Sequence, residues 1–125
     1  MQSAIATLEI YNTEINGLSF SENGYYLATC ATRDNCVKIV DLRKSEIVRK
    51  IEMPENNYEV KSVKFDHSGT YLGIVGSSVN MYQVKNNQLF CQFQDHTDLV
   101  TDIGFGKDCE YIVTSSLDRN LNLYK

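Results

Sequence analysis

The sequence contains no tryptophan, a single proline (Pro54) and only two histidines, His67 and His96. No apolar run approaches the ~18 residues of a membrane-spanning helix, and no stretch keeps helical periodicity beyond about two turns. The start, Met1-Gln2-Ser3-Ala4, has neither a charged n-region nor an apolar h-region, so no signal peptide is expected. Lysine and arginine are nowhere concentrated. Their densest stretch, Arg43-Lys44 with Arg49-Lys50, is interrupted by Glu46, and the formal charge is −4. Direct nucleic-acid binding needs a basic face, which is missing here. The four cysteines, Cys30, Cys36, Cys91 and Cys109, form no Cys-x-x-Cys pair, and neither histidine flanks them at metal-ligand spacing. They read as small apolar residues in a reducing, intracellular compartment, with no metal and no cofactor implied.

What is present is strand-forming: eight Tyr and five Phe, in a chain whose 42% apolar content is enough for a core. Three segments repeat: Ile15-Asn16-Gly17-Leu18-Ser19-Phe20, Val60-Lys61-Ser62-Val63-Lys64-Phe65 and Val100-Thr101-Asp102-Ile103-Gly104-Phe105. Each starts on an apolar residue, with another at +3, Phe at +5, Tyr at +11 and Leu or Ile at +12. The phenylalanines stand 45 and then 40 residues apart, the length of a four-stranded propeller blade. Asn23-Gly24 and Ser68-Gly69 predict hairpin turns; Asp108-Cys109 is a weaker turn signal. Third strands are expected at Val37–Val40, Val79–Tyr82 and Leu121–Tyr124. Fourth strands are expected at about Ile47–Ile51 and Leu89–Phe93, with one more at about Ile5–Ile10. The residues at the first position and at +3 have opposite parity, which predicts opposite faces and a blade covered on both sides. The fold expected is all-β: three consecutive four-stranded antiparallel blades, part of a β-propeller. One partial propeller would span 1–125, with units at about 5–42, 47–84 and 89–125 and the last outer strand missing.

These features resemble the WD-repeat family. Asp95-His96 stands where that family usually has Gly-His; Asp34 and Asp118 stand at its turn between the second and third strands; Val40-Asp41 occupies its Trp-Asp position. Val40, Tyr82 and Tyr124 replace the tryptophan, and the second repeat, with Gly76-Ser77-Ser78, is shorter and has no turn aspartate. Phe20-Ser21-Glu22-Asn23-Gly24-Tyr25-Tyr26-Leu27, Glu59-Val60-Lys61-Ser62 and Asp118-Arg119-Asn120-Leu121-Asn122-Leu123-Tyr124 narrow the match. They resemble the C-terminal, seven-bladed propeller of the pre-mRNA-processing splicing factors that carry a U-box. That resemblance implies a nuclear, non-catalytic scaffold for protein–protein interaction in the spliceosome. Its partners would be splicing-complex subunits and ubiquitination substrates, with no nucleic acid or membrane bound directly. Ubiquitin-ligase chemistry would lie in a U-box outside this sequence. An adaptor of an unrelated complex is the alternative.

His96 with Thr114 or Ser116 and Asp118 combines imidazole, hydroxyl and carboxylate, the ingredients of a hydrolytic triad. No Gly-x-Ser-x-Gly elbow accompanies them. The resemblance implies a structural network instead, in which His96, Thr114, Ser116, Asp118 and Tyr124 tie one blade end together and Asp34 plays the turn role in the first repeat. His67 is expected to be exposed in its turn. Partner-binding candidates on the loops are Glu14, Arg33, Asn35, Tyr58, Glu59, Asp98, Leu117 and Arg119, led by Arg33 and Tyr58 because Arg and Tyr anchor interfaces. Acidic residues near them, Glu14, Glu55, Glu59 and Asp98, favour a partner with basic or polar segments. Three blades leave apolar faces open, so either continuation into a longer propeller or self-association through those faces is expected.

Overall fold

The computed structural model describes residues 7–53, 58–107 and 110–125. Strands β1 (Ile15–Phe20), β2 (Tyr26–Ala31), β3 (Cys36–Asp41) and β4 (Glu46–Glu52) form one antiparallel sheet in that order. The second sheet is β5 (Val60–Phe65), β6 (Tyr71–Gly76), β7 (Val79–Gln83) and β8 (Gln88–Phe93). The third has β9 (Val100–Phe105), β10 (Ile112–Ser116) and β11 (Leu121–Tyr124), and no fourth strand among the described residues. The sheets stack as three propeller blades and do not close a ring. β1, β5 and β9 run side by side: the Ser19 hydroxyl accepts the Phe65 N–H at 3.1 Å, and the Ser62 hydroxyl donates to Asp102 at 3.2 Å.

The hairpins form where expected. Gly24 and Gly69 both hold φ at 75°, the left-handed conformation that glycine takes without a Cβ clash. His67 is exposed in the β5–β6 turn. The Asp108-Cys109 turn and Glu55 lie outside the described residues. So do residues 5 and 6 of the strand expected at about Ile5–Ile10, and its described part, 7–10, is not a strand. An outer strand needs a third strand to pair with, as β4 pairs with β3, and here the segment turns instead onto the first blade, where the Ile10 carbonyl accepts from the Lys38 ammonium.

The parity expectation is corrected by a β-bulge. Ile15 pairs with Ala31 but Gly17 with Cys30; Val60 pairs with Gly76 but Ser62 with Val75; Val100 pairs with Ser116 but Asp102 with Ser115. Asn16, Lys61 and Thr101 are therefore the extra residues of the same bulge, repeated in every blade. One inserted residue reverses the alternation. Val60 and Val63 consequently join one core cluster, and Val100 and Ile103 another.

The core lies between sheets. Ala28, Val37 and Ile39 of the first blade meet Val63, Phe65, Leu72 and Ile74 of the second. Val75, Val79 and Met81, on the other side of the second blade, meet Val100 and Ile103. Both faces of the middle blade are covered, now for a reason that includes the bulge.

Candidate functional site

The connection leading into each first strand places one polar side chain against its blade. In the third blade it is His96. Its Nδ1 lies 2.9 Å from Asp118 Oδ2 and its Nε2 2.8 Å from Thr114 Oγ1. The Thr97 N–H donates to the same carboxylate at 3.0 Å, and the Asn120 N–H donates to its other oxygen at 2.9 Å. The Ser116 hydroxyl donates to the Leu99 carbonyl at 2.8 Å and accepts from the Asp118 N–H at 3.1 Å. Burial alone would raise the Asp118 carboxyl, but the hydrogen bonds from His96 and these backbone donors outweigh it and hold the group below its ordinary value. His96, Thr114, Ser116 and Asp118 thus come together. Tyr124 does not complete the set: its hydroxyl meets Asn122 Nδ2 at 3.3 Å and its ring stacks on Phe93, 4.3 Å between centroids. The tyrosine ring, standing where the family has tryptophan, packs on the neighbouring blade's outer strand.

The hydroxyl, imidazole and carboxylate are aligned as in a triad, yet Thr114 is 1% exposed and the His96 and Asp118 side chains are 2% and 4% exposed. A nucleophile must reach substrate; this hydroxyl is sealed in. The alignment is a satisfied buried network, which is strongly stabilising when each member is paired.

In the first blade the same place is taken by Tyr11, four residues before β1 as His96 is four before β9. Its hydroxyl donates to the Thr29 carbonyl at 2.8 Å, accepts from the Lys38 N–H at 3.1 Å and lies 3.1 Å from Thr29 Oγ1. The Lys38 ammonium sits over its ring, 4.3 Å from the centroid. Burial pushes the Tyr11 hydroxyl up to about 12, so it keeps its proton and its donor role at neutral pH. Asp34 accepts the Cys36 N–H at 2.8 Å within its turn. In the second blade the anchor is Tyr58, whose hydroxyl donates to the Ser78 carbonyl at 2.7 Å and accepts from Asn80 Nδ2 at 2.7 Å. Sequence reasoning missed Tyr11 and misplaced Tyr58. The latter is 3% exposed, its ring in the core between blades, so it is not available as a partner anchor. Aligning the first and third connections by distance from their first strands is the signal that identifies Tyr11.

The remaining candidates lie at one end of the stack, where the first strands begin and the second strands finish. Glu14 and Arg33, with Asn12, Thr13 and Thr32, line a hollow of about 600 Å³. Glu59 is half-buried and paired with Lys61 at 2.9 Å, Asn35 is half-buried, and Asp98 is exposed while capping the Leu99 N–H at 2.7 Å. Leu117 and Arg119 project from the third blade and are exposed. Arg33 and Arg119 hold φ at 61° and 73°, a conformation uncommon for residues with a Cβ. Burial raises Cys30 to about 12 and also raises Cys36 and Cys91, which keeps them protonated. Cys109 lies outside the described residues.

The family model for the WD domain, G-beta repeat, matches residues 2–41 and 87–125. The unmatched middle is the repeat whose anchor is Tyr58 and whose turn lacks aspartate. Pre-mRNA-processing factor 19 of Oryza sativa subsp. japonica is 40% identical over 129 residues, covering 98% of this chain and 24% of that protein. Pre-mRNA-processing factor 19 homolog 2 of Arabidopsis thaliana is 36% identical, covering 98% of this chain and 23% of that protein. The human Pre-mRNA-processing factor 19 is 40% identical over 70 residues, 56% of this chain and 14% of that protein. The chain spans about a quarter of the length of the first two relatives.

Proposed function

This chain belongs to the WD-repeat family, and from that premise we propose that it is a partner-recruiting scaffold of a nuclear pre-mRNA splicing factor and ubiquitin ligase. In this reading the chain catalyses nothing itself. It holds splicing-complex subunits and ubiquitination substrates, and ligase chemistry resides in a U-box of the longer protein. The relatives named as pre-mRNA-processing factors support the splicing role. The units at about 5–42, 47–84 and 89–125 act together, because the apolar core lies between the blades.

The observation that carries the recruiting role is the loop end of the stack. There Arg33 and Arg119 are exposed on turns whose backbone is strained, beside Glu14 and Leu117, while the anchors behind them are held by hydrogen bonds. Strained, exposed residues on a rigid frame are a common arrangement for recognition. The test is retrieval from nuclear extract, with retained proteins identified by mass spectrometry. The wild-type chain is expected to retain splicing-complex proteins, and an Arg33→Glu, Arg119→Glu double variant to lose them without change in melting temperature. Retention of none by the wild type, or equal retention by the variant, would overturn this reading.

A further inference from the structure

The opposite end of the stack carries a different chemistry. Where the first and second blades meet, a groove of about 520 Å³ opens between the β1–β2 turn, the β3–β4 turn and the β5–β6 turn, within the size range of ligand sites. Its floor is apolar, from Tyr26, Ile39, Phe65 and Val84, with Val48 exposed at one side. Its charge runs against the chain as a whole. The chain has 12 Lys and Arg against 16 Asp and Glu, yet Lys44, Arg49 and Lys85 line the groove against Glu22 and Asp41. Asp41 is already engaged: its Oδ1 accepts the Arg43 N–H at 2.9 Å and its Oδ2 lies 3.4 Å from the Arg43 guanidinium. Arg49 bridges the two blades by donating to the Val84 carbonyl. Lys44 and Lys85 are exposed and, among the described residues, have no ion-pair partner.

The neighbouring junction provides the control. Between the second and third blades the corresponding space, about 330 Å³, is lined by aromatics, of which Tyr71 stacks on Phe90 at 5.2 Å and Phe93 on Tyr124 at 4.3 Å. Among the described residues its charged lining is one acid and one base, Glu110 and Lys125. Blade packing therefore does not require cations there. Their presence at one junction only, over an apolar floor, is a property of that groove.

We propose that the groove between the first two blades is a docking site for an extended acidic peptide of a protein partner. An apolar side chain of that peptide would lie on Phe65 and Tyr26, and flanking carboxylates would reach Lys44 and Lys85. This site is separate from the loop end that carries the recruiting role, and the two can fail independently. Opposite charges at the rim select the partner and speed encounter, and an apolar contact in the centre holds it.

The probe is a fluorescein-labelled octapeptide, Glu-Asp-Glu-Leu-Phe-Glu-Asp-Glu, with its Gln/Asn counterpart as control, followed by anisotropy against the full chain. Saturable binding is expected for the acidic peptide only, weakening as salt is raised. A Lys44→Glu, Lys85→Glu double variant is expected to weaken it by about tenfold or more, whereas Lys44→Arg, Lys85→Arg retains it. Both variants should keep the wild-type melting temperature and the nuclear-extract partners of the loop end. Equal binding of the amide peptide, no binding up to about 1 mM, or indifference to the charge reversal would each overturn the proposal. Loss of binding on Arg33→Glu, Arg119→Glu alone would overturn it too, by placing the peptide at the other end.

Discussion

Equivalent positions of the repeat have opposite fates in the middle blade and in the end blades. Val63 is 2% exposed and Leu18, its counterpart in the first blade, 59%; Val79 is 1% exposed and Leu121, its counterpart in the third, 72%. The residue types are the same, so chemistry does not explain the difference. What differs is a neighbour. Val63 faces the first blade and Val79 the third, whereas Leu18 and Leu121 face outward with no described blade beyond them. A blade is hydrophobic on both sides because it is meant to be sandwiched, and its stability is mostly a nearest-neighbour quantity. Inside each blade, by contrast, the polar anchor is local and survives at the ends: Tyr11 and His96 are paired as fully as Tyr58. Asn80 Oδ1, buried beside Tyr58, is even left without a hydrogen-bond partner among the described residues.

The largest effect that would sharpen this comparison is a core truncation read by chemical denaturation. Leu72→Ala, between the first two blades, is expected to cost about 2–5 kcal/mol, and Leu123→Ala, on the outward face of the third, less than about 0.5 kcal/mol. Equal costs would break the comparison. Next come the anchors. His96→Ala leaves the buried Thr114 hydroxyl and Asp118 carboxylate without their partner, and Tyr58→Phe strands the Ser78 carbonyl and Asn80. Each is expected to lose about 1–3 kcal/mol. Tyr11→Phe should lose less, because that end is half-open and water can replace the hydroxyl. Thermal melts of the three variants give the ranking, and an unaltered His96→Ala melt would remove the network from the account.

A smaller effect separates the carboxylate from the rest. Asp118 is held below its ordinary value of 3.8 in the folded chain, so its contribution is complete above that value and fades as pH falls through the lower folded one. The melting-temperature gap between wild type and Asp118→Asn should therefore be constant from neutral pH down to about 4 and shrink below it. A gap that grows on acidification would contradict the assignment. The smallest effect on stability belongs to the end faces. Leu18→Asp and Leu121→Asp should each change stability by less than about 0.5 kcal/mol while lowering the fluorescence of an apolar-surface dye; unchanged dye binding would mean those faces are not open.

Strand order was legible because spacing of Phe, Tyr and Gly records hairpins directly: β4 and β8 fall on the expected Ile47–Ile51 and Leu89–Phe93. The bulge was not legible. Asn16, Lys61 and Thr101 share no side-chain chemistry, and a bulge is a property of pairing between strands. The His96 network could be read from the family resemblance, whereas Tyr11 could not, because a tyrosine performs there the role that histidine performs in the third blade. Tyr58 looked like an exposed aromatic loop residue; its connection to β5 is two residues shorter than the others, which draws the ring into the core. Tyr124 was expected in the network and instead stacks outward on Phe93, since ring stacking between blades is decided by the neighbour's sequence.

Native-state hydrogen exchange of the wild-type chain tests most directly whether neighbours, and not the repeat itself, stabilise a blade. Slowest exchange is predicted for the amides of β6, with its counterparts β2 and β10 faster despite their equivalent residues and equally central place in their sheets. Uniform protection across the three blades, or slowest exchange in β2 or β10, would contradict the account.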